Sequence, residues 1–227
     1  MGVTPIELAA LYPKLYHMAE PDTWEKINQA GLMCTSAILD QCKISGEARN
    51  ALELNKRECK KTVEHPILGQ IFLRDQKPLH VGKLKKSLID CSVEDWFRML
   101  NNRVFFWPTI ERLKRLMSAR EYAGHKHLVL TVDTLSLTQD YEKQITLAPM
   151  NTGNTMPMAH PRGLTTFRRM KDYPFTERIK RGPYYTVVEA AVDNGVPNLS
   201  KYVIRAEHAM YQNDNIKTLE LLFERAP

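Results

Sequence analysis

The run Thr186-Val187-Val188-Glu189-Ala190-Ala191-Val192 constrains this chain more than any other feature. β-Branched and small apolar residues around a single carboxylate describe a strand that has to be largely buried. A carboxylate there is costly unless it is paired or poised for function, and an edge position facing solvent is the other reading. Helical signals gather earlier, at Thr4 to Leu11, Thr23 to Ala30, Thr35 to Cys42 and Ser92 to Leu100. For the second of these, Asp22 reads as the cap, Glu25 as its capping-box partner and Gly31 as the terminator. Strand patterns cover Lys14 to Met18, Ile67 to Leu73, Val104 to Trp107, His127 to Val132, Tyr184 to Val192, Tyr202 to Glu207 and Ile216 to Phe223, and Pro108 opens a helix running to about Tyr122. The expectation is one α+β domain over 1–227, with mostly antiparallel strands and helices concentrated in the N-terminal half. Pro149 to Pro183 shows little periodicity, and irregular segments of that length are usually functional or mobile.

With 43% apolar and 26% charged residues, the composition excludes collagenous, disordered and coiled-coil chains. No apolar run approaches the roughly 18 to 20 residues that span a bilayer, and the N-terminus lacks a basic-then-apolar leader pattern. Cys34, Cys42, Cys59 and Cys91 form no CxxC pair, so free thiols in a reducing compartment are expected. A soluble, cytoplasmic chain follows. The net charge of +6 favours a polyanionic partner. Between Arg162 and Arg181 seven basic residues face two acidic ones, with Phe167, Tyr173 and Phe175 interleaved. That mixture suits nucleic-acid phosphates and a stacked base, with Arg162, Arg168, Arg169, Lys171 and Arg178 as contacts. A solvated surface loop explains the charge equally well.

Three features carry possible chemistry. His17 shares a strand face with Leu15, away from Tyr16 and Met18, where a structural hydrogen-bonding role is the commoner one. Val104-Phe105-Phe106-Trp107 is a dense aromatic strand, first of all packing mass. Glu189 is the third. Asn151-Thr152-Gly153-Asn154-Thr155 offers backbone and hydroxyl donors to a nucleotide, or is an ordinary turn. His125 and His127 have a spacing that can ligate metal, but no third ligand follows at a recognisable spacing, so no metal is expected. P-loop, dinucleotide-fold and GxSxG motifs are absent.

Leu15-Tyr16-His17-Met18, followed by a helix with Ile27 and then Gly31-Leu32, resembles the first motif of ADP-ribosyltransferase folds. Val104 to Trp107 resembles the second. Val188-Glu189-Ala190-Ala191-Val192 with Val196-Pro197 resembles the third, in the style of DarT-type nucleic-acid ADP-ribosyltransferases. The resemblance covers about 40 residues in three patches. Over its whole length the chain is similar to an uncharacterised bacterial family marked by Arg74 to Pro78, Asn102 to Trp107 and Thr152 to Phe167.

The transferase resemblance implies a split, mostly antiparallel sheet and NAD as a substrate. Glu189 would steady an oxocarbenium-like ribose. His17 would donate to a ribose hydroxyl, and the backbone beside it at Met18 would read the carboxamide. Phe106, or else Phe105, would stack on nicotinamide, with Trp107 as a wall, and Asn151 and Thr152 would hydrogen-bond the nucleotide. The DarT type has an arginine just past the aromatic strand, where this chain has Pro108 to Glu111. Arg112 and Arg115 lie a turn later, and Arg74 and Arg162 are alternatives for the pyrophosphate. Two further readings are open: a tRNA 2′-phosphotransferase, which relies on arginines and needs no catalytic Glu, and a non-catalytic basic nucleic-acid-binding protein.

Overall fold

The computed structural model describes residues 1–226. Thr4 caps α1 (Pro5–Leu11) through a capping box with Glu7, and β1 (Lys14–Ala19) follows. Then come α2 (Trp24–Ala30), α3 (Thr35–Gln41), α4 (Gly46–Glu53), the hairpin β2 (Lys61–His65) and β3 (Gly69–Leu73), α5 (Val81–Ser87) and α6 (Val93–Asn101), the last capped by Ser92 and Asp95. The remaining chain forms β4 (Arg103–Phe106), α7 (Ile110–Met117), β5 (Lys126–Asp133), α8 (Thr134–Asp140), β6 (Ile145–Ala148), β7 (Arg168–Arg169), α9 (Phe175–Arg178), α10 (Pro183–Thr186), β8 (Glu189–Asp193), β9 (Val203–Gln212) and β10 (Asn215–Glu224).

The α+β class and antiparallel pairing are as expected, but the helices are spread along the chain rather than gathered in its first half. Two further local expectations fail for identifiable reasons. Asp22 takes a left-handed φ of 59° and pairs with Lys126, leaving Thr23 at the helix start, so the Asp22–Glu25 capping box does not form. Tyr184 to Thr186 coil into α10 instead of extending. Pro183 opens that turn and the Thr186 hydroxyl donates back to the Gly182 carbonyl at 2.9 Å, so β8 begins only at Glu189.

One four-stranded antiparallel sheet has the order β1-β5-β9-β10, the other β4-β8-β6-β7, and β2 and β3 stand apart. The main core lies between the two large sheets: Leu15, Leu128, Leu130, Val132 and Ala206 of the first meet Val104, Phe106, Ile145, Leu147, Ala190 and Val192 of the second. Trp96, Phe97 and Leu100 of α6 cover the outer face of the second sheet, and Leu113 and Met117 of α7 cover that of the first. An α/β/β/α layering results, which covers the central strands of each sheet on both faces and leaves the edge strand β10 largely exposed. Among the described residues no helix is long and apolar enough to cross a membrane.

The two sheets share one point. β4 pairs with β8 as far as Phe106↔Ala190, but the next residue, Trp107, pairs instead with Tyr16 of β1 through N–H···O bonds of 2.9 and 2.7 Å. The sheets therefore diverge beside Glu189, whose register partner on β6 is Ala148 and whose β4 side has lost its neighbour. A crevice opens where the strand changes sheets.

Candidate active site

That crevice is a cleft of about 1340 Å³. His17 reaches it from β1, Phe105 and Trp107 from the end of β4, Arg112 and Arg115 from α7, Asn151 and Thr152 from the loop after β6, and Glu189 from β8. The β2–β3 hairpin lends Gln70, Ile71 and Phe72 to another wall. Residues separated by more than 170 positions thus meet in one place because the strands that carry them converge on the split.

Glu189 is 3% exposed. Its carboxylate accepts from two donors, both of Thr152: the backbone N–H, shared at 3.2 and 3.1 Å between its two oxygens, and the hydroxyl at 2.6 Å. Burial pushes its pKa from the usual 4.5 up to about 7, against the opposing pull of Thr152 and of the Arg112 and Arg162 guanidinium charges. The solvent-facing edge reading of Glu189 is excluded by its burial, although at this position β8 pairs with β6 alone. Thr152 is fixed in turn by Arg162, whose Nη1 donates to the Thr152 carbonyl at 3.1 Å while Nε donates to the His160 carbonyl, also at 3.1 Å. Thr152→Val keeps the N–H but removes the 2.6 Å hydroxyl bond, so the Glu189 acid should strengthen its hold on the proton. The pH at which Glu189 titrates, followed by NMR, should rise by about one unit or more, since a charge-assisted hydrogen bond is worth about 1.5 to 3 kcal/mol.

His17 Nδ1 lies 2.8 Å from the Phe105 carbonyl. A carbonyl can only accept, so Nδ1 carries the proton and Nε2 keeps its lone pair. Burial, reinforced by the Arg74 charge, lowers the imidazole pKa to about 4, so the ring is neutral at pH 7. The expectation that His17 donates to a ligand hydroxyl is corrected: its one N–H is engaged, and Nε2 is an acceptor. Arg74 donates to the Met18 carbonyl at 2.9 Å, pairs with Glu20 at 3.5 Å and lies 4.7 Å over the Tyr122 ring.

Alternation along β4 separates the aromatics. Phe105 is half-buried, lines the cleft and rests against Phe167 with ring centroids 6.1 Å apart. Phe106 is fully buried in the main core and does not line the cleft. Of the two stacking candidates, only Phe105 offers a face. Met18, Trp107 and Asn151 also line the cleft.

The basic segment does not form one continuous patch. Arg168 and Lys171 are exposed, but Arg162 is 2% exposed, Arg169 pairs with Asp193 at 2.6 Å, and Arg178 donates to the carbonyls of Thr186, Tyr185 and Pro149 at 2.9, 2.6 and 3.3 Å. Counting charge along the sequence overstates what faces solvent, because guanidinium donors are consumed by carbonyls left free at turns. Arg162 and Arg178 line the cleft with their donors engaged, and Arg115, Arg181 and the exposed Tyr185 line it beside them.

Arg57 and the pairing of Arg112 with Tyr184 escape a reading of the sequence. Arg112 donates to the Tyr184 carbonyl and lies 4.1 Å over its ring, while its buried Nε has no partner among the described residues. Nothing local signals Arg57, which sits between two elements that carry no clear periodicity. His127 spends Nε2 on the Tyr122 carbonyl at 3.0 Å, and among the described residues no three His, Cys, Asp or Glu side chains gather as a metal site.

A comparison with curated proteins gives no match. Residues 13–203, a span that takes in every cleft residue named above, match the model of a family of unknown function, DUF7002, and the chain belongs to that family.

Proposed function

We propose that the chain is an NAD-dependent ADP-ribosyltransferase whose acceptor is nucleic acid. The observation that carries this reading is Glu189: a carboxylate buried at the split between two sheets, held by Thr152 and balanced near neutrality, in a cleft it shares with His17 and Phe105. Cleavage of the bond between nicotinamide and ribose develops positive charge on the sugar, and a fixed carboxylate in a desolvated site is the group that stabilises such charge most strongly. His17 Nε2 is available to accept from a ribose hydroxyl, and Phe105 presents a flat apolar face to an aromatic ring. At about 1340 Å³ the cleft exceeds the roughly 300 to 1,000 Å³ of an ordinary ligand pocket, which leaves space for an acceptor beside the dinucleotide. Arg115, Arg181 and Tyr185 combine positive charge with a stacking surface where a polynucleotide would enter.

A specific observation favours a second reading. Arg57, Arg74, Arg112, Arg115 and Arg162 all line the cleft, as suits a tRNA 2′-phosphotransferase. Those arginines serve a pyrophosphate equally well, whereas the built environment of Glu189 has no purpose in a reaction that needs no carboxylate.

The decisive experiment incubates the protein with NAD labelled on the adenylate side, together with cellular RNA, DNA and protein fractions. Label should appear in a nucleic-acid fraction and not without enzyme. Label confined to protein would redirect the acceptor, and no consumption of NAD with any fraction would overturn the transferase reading.

A further inference from the structure

Three buried arginines of the cleft, Arg57, Arg112 and Arg162, make no ion pair among the described residues; the Glu189 charge acts on Arg112 and Arg162, and Arg57 is left without it. Arg57, in the connection between α4 and β2, is 6% exposed and lines the cleft. Its Nε donates to the Arg74 carbonyl at 2.8 Å, and Nη1 donates to the Leu52 carbonyl at 2.6 Å and to Asn101 Oδ1 at 2.9 Å. Its backbone is tied as well, since Arg57 N–H donates to Gln76 Oε1 at 3.1 Å and Gln76 N–H donates to the Arg57 carbonyl at 2.8 Å. Every one of these partners is neutral. Arg74 is paired with Glu20 and Arg103 with Asp193, but no carboxylate among the described residues lies within ion-pair distance of Arg57. Asp75 acts on it only through space, and burial lowers its pKa to about 10.

Burying a guanidinium without an anion is costly, and hydrogen bonds to neutral oxygens offset only part of that cost. Its orientation is nevertheless fixed by three hydrogen bonds, which leave Nη2 without a protein acceptor among the described residues. A rigid, desolvated guanidinium with an unused N–H₂ in a cleft is the arrangement that captures an oxyanion, because the ligand supplies the missing charge. The other cleft arginines, and an aromatic face at Phe105, favour an anion attached to a nucleotide over a small carboxylate.

We infer that Arg57 is an anion subsite of the cleft that takes a phosphate group of a nucleotide ligand, Nη2 donating to a phosphate oxygen. The word nucleotide rests on the reading above; the anion site itself does not. Inorganic pyrophosphate serves as the probe, with the full-length chain at low salt and calorimetric readout. The parent should bind it, and Arg57→Gln should weaken binding about tenfold or more.

Arg57→Gln strands the Leu52 and Asn101 acceptors and could fail to fold, so Gln76→Glu is the second variant. Its Oε1 retains the bond from the Arg57 N–H, and no hydrogen bond of the Gln76 side-chain amide is lost. The new carboxylate, held at the Arg57 backbone, adds a negative charge to the same part of the cleft and is expected to compete with phosphate. Gln76→Glu should melt at or above the parent temperature and lose pyrophosphate affinity by a similar factor. Undiminished binding by Gln76→Glu, or no binding by the parent, overturns the inference. Repeating the titration with ADP and with a single-stranded oligonucleotide tells which ligand brings the phosphate: weakening of either supports the site, and of neither overturns it. A parent protein that binds pyrophosphate but consumes no NAD would lose the transferase reading, while this inference stands or falls by the pyrophosphate titration alone.

Discussion

Glu189→Gln should fold normally and consume NAD at least about 10²-fold more slowly than the parent, the loss expected when a fixed group that meets developing charge is removed. The amide oxygen of the new side chain can still accept from the Thr152 N–H and hydroxyl, so the hydrogen bonds that locate it survive. What disappears is the negative charge. A variant that melts like the parent and consumes NAD at the parental rate would remove Glu189 from the mechanism.

The same substitution has a consequence for stability with a definite sign. The folded-state pKa of Glu189 is raised from the usual 4.5 to about 7, so between those values the folded chain holds a proton that the unfolded chain has released. Stability from this group is therefore greatest below pH 4.5, declines as pH rises through the window to about 7, and is flat beyond it. The decline is on the order of 3 kcal/mol. Glu189→Gln abolishes it, so the variant should gain stability relative to the parent as pH is raised from 4.5 to 7, measured by urea unfolding at several pH values. Activity runs the other way: with the ionised form required, NAD consumption should climb with pH about a midpoint near 7. A stability difference between parent and variant that is constant with pH would mean that Glu189 titrates normally.

How far the sequence discloses this site depends on which physical signal each residue leaves. Glu189 is conspicuous because a carboxylate interrupts an apolar strand, and desolvation makes that rare. His17 and the aromatic strand are found through their order along the chain and the motifs around them. The cleft itself leaves no local trace, since it is created by Trp107 switching its pairing from β8 to β1, a tertiary event between residues 91 positions apart. For the same reason sequence spacing could not separate Phe105 from Phe106: alternation dictates that they face opposite ways, but only the packing of the second sheet on the first decides which way is out. The basic segment shows the opposite failure. Its charge is plain in the sequence, yet Arg162 and Arg178 turn inward to serve carbonyls, which charge counting has no means of registering. Helices α4, α5 and α8 leave weak patterns because tertiary contacts, more than periodicity, hold such short segments.

Phe106→Ala and Phe105→Leu should separate the two halves of β4's aromatic pair into a structural and a functional effect. Phe106 is fully buried in the core between the sheets, beside Leu15 and Ala190, so truncation leaves a cavity that neighbouring strands cannot close. The expected cost is about 3 to 5 kcal/mol. For a chain of this size that lowers Tm by on the order of 10 °C, at roughly 2 to 4 °C per kcal/mol. NAD affinity of whatever fraction remains folded should change little. Phe105→Leu keeps apolar volume against Phe167 and Ala191, so Tm should move by only about 1 to 3 °C, while the flat face turned to the cleft is lost. A ring stack is worth about 0.5 to 1.5 kcal/mol beyond its area, which predicts NAD binding weaker by roughly 2- to 13-fold at 25 °C. Calorimetric titration below the Tm of each variant distinguishes the outcomes. Weakened NAD binding in a well-folded Phe106→Ala, with Phe105→Leu unaffected, would move the stacking role back to Phe106 and require the end of β4 to rotate before ligand enters.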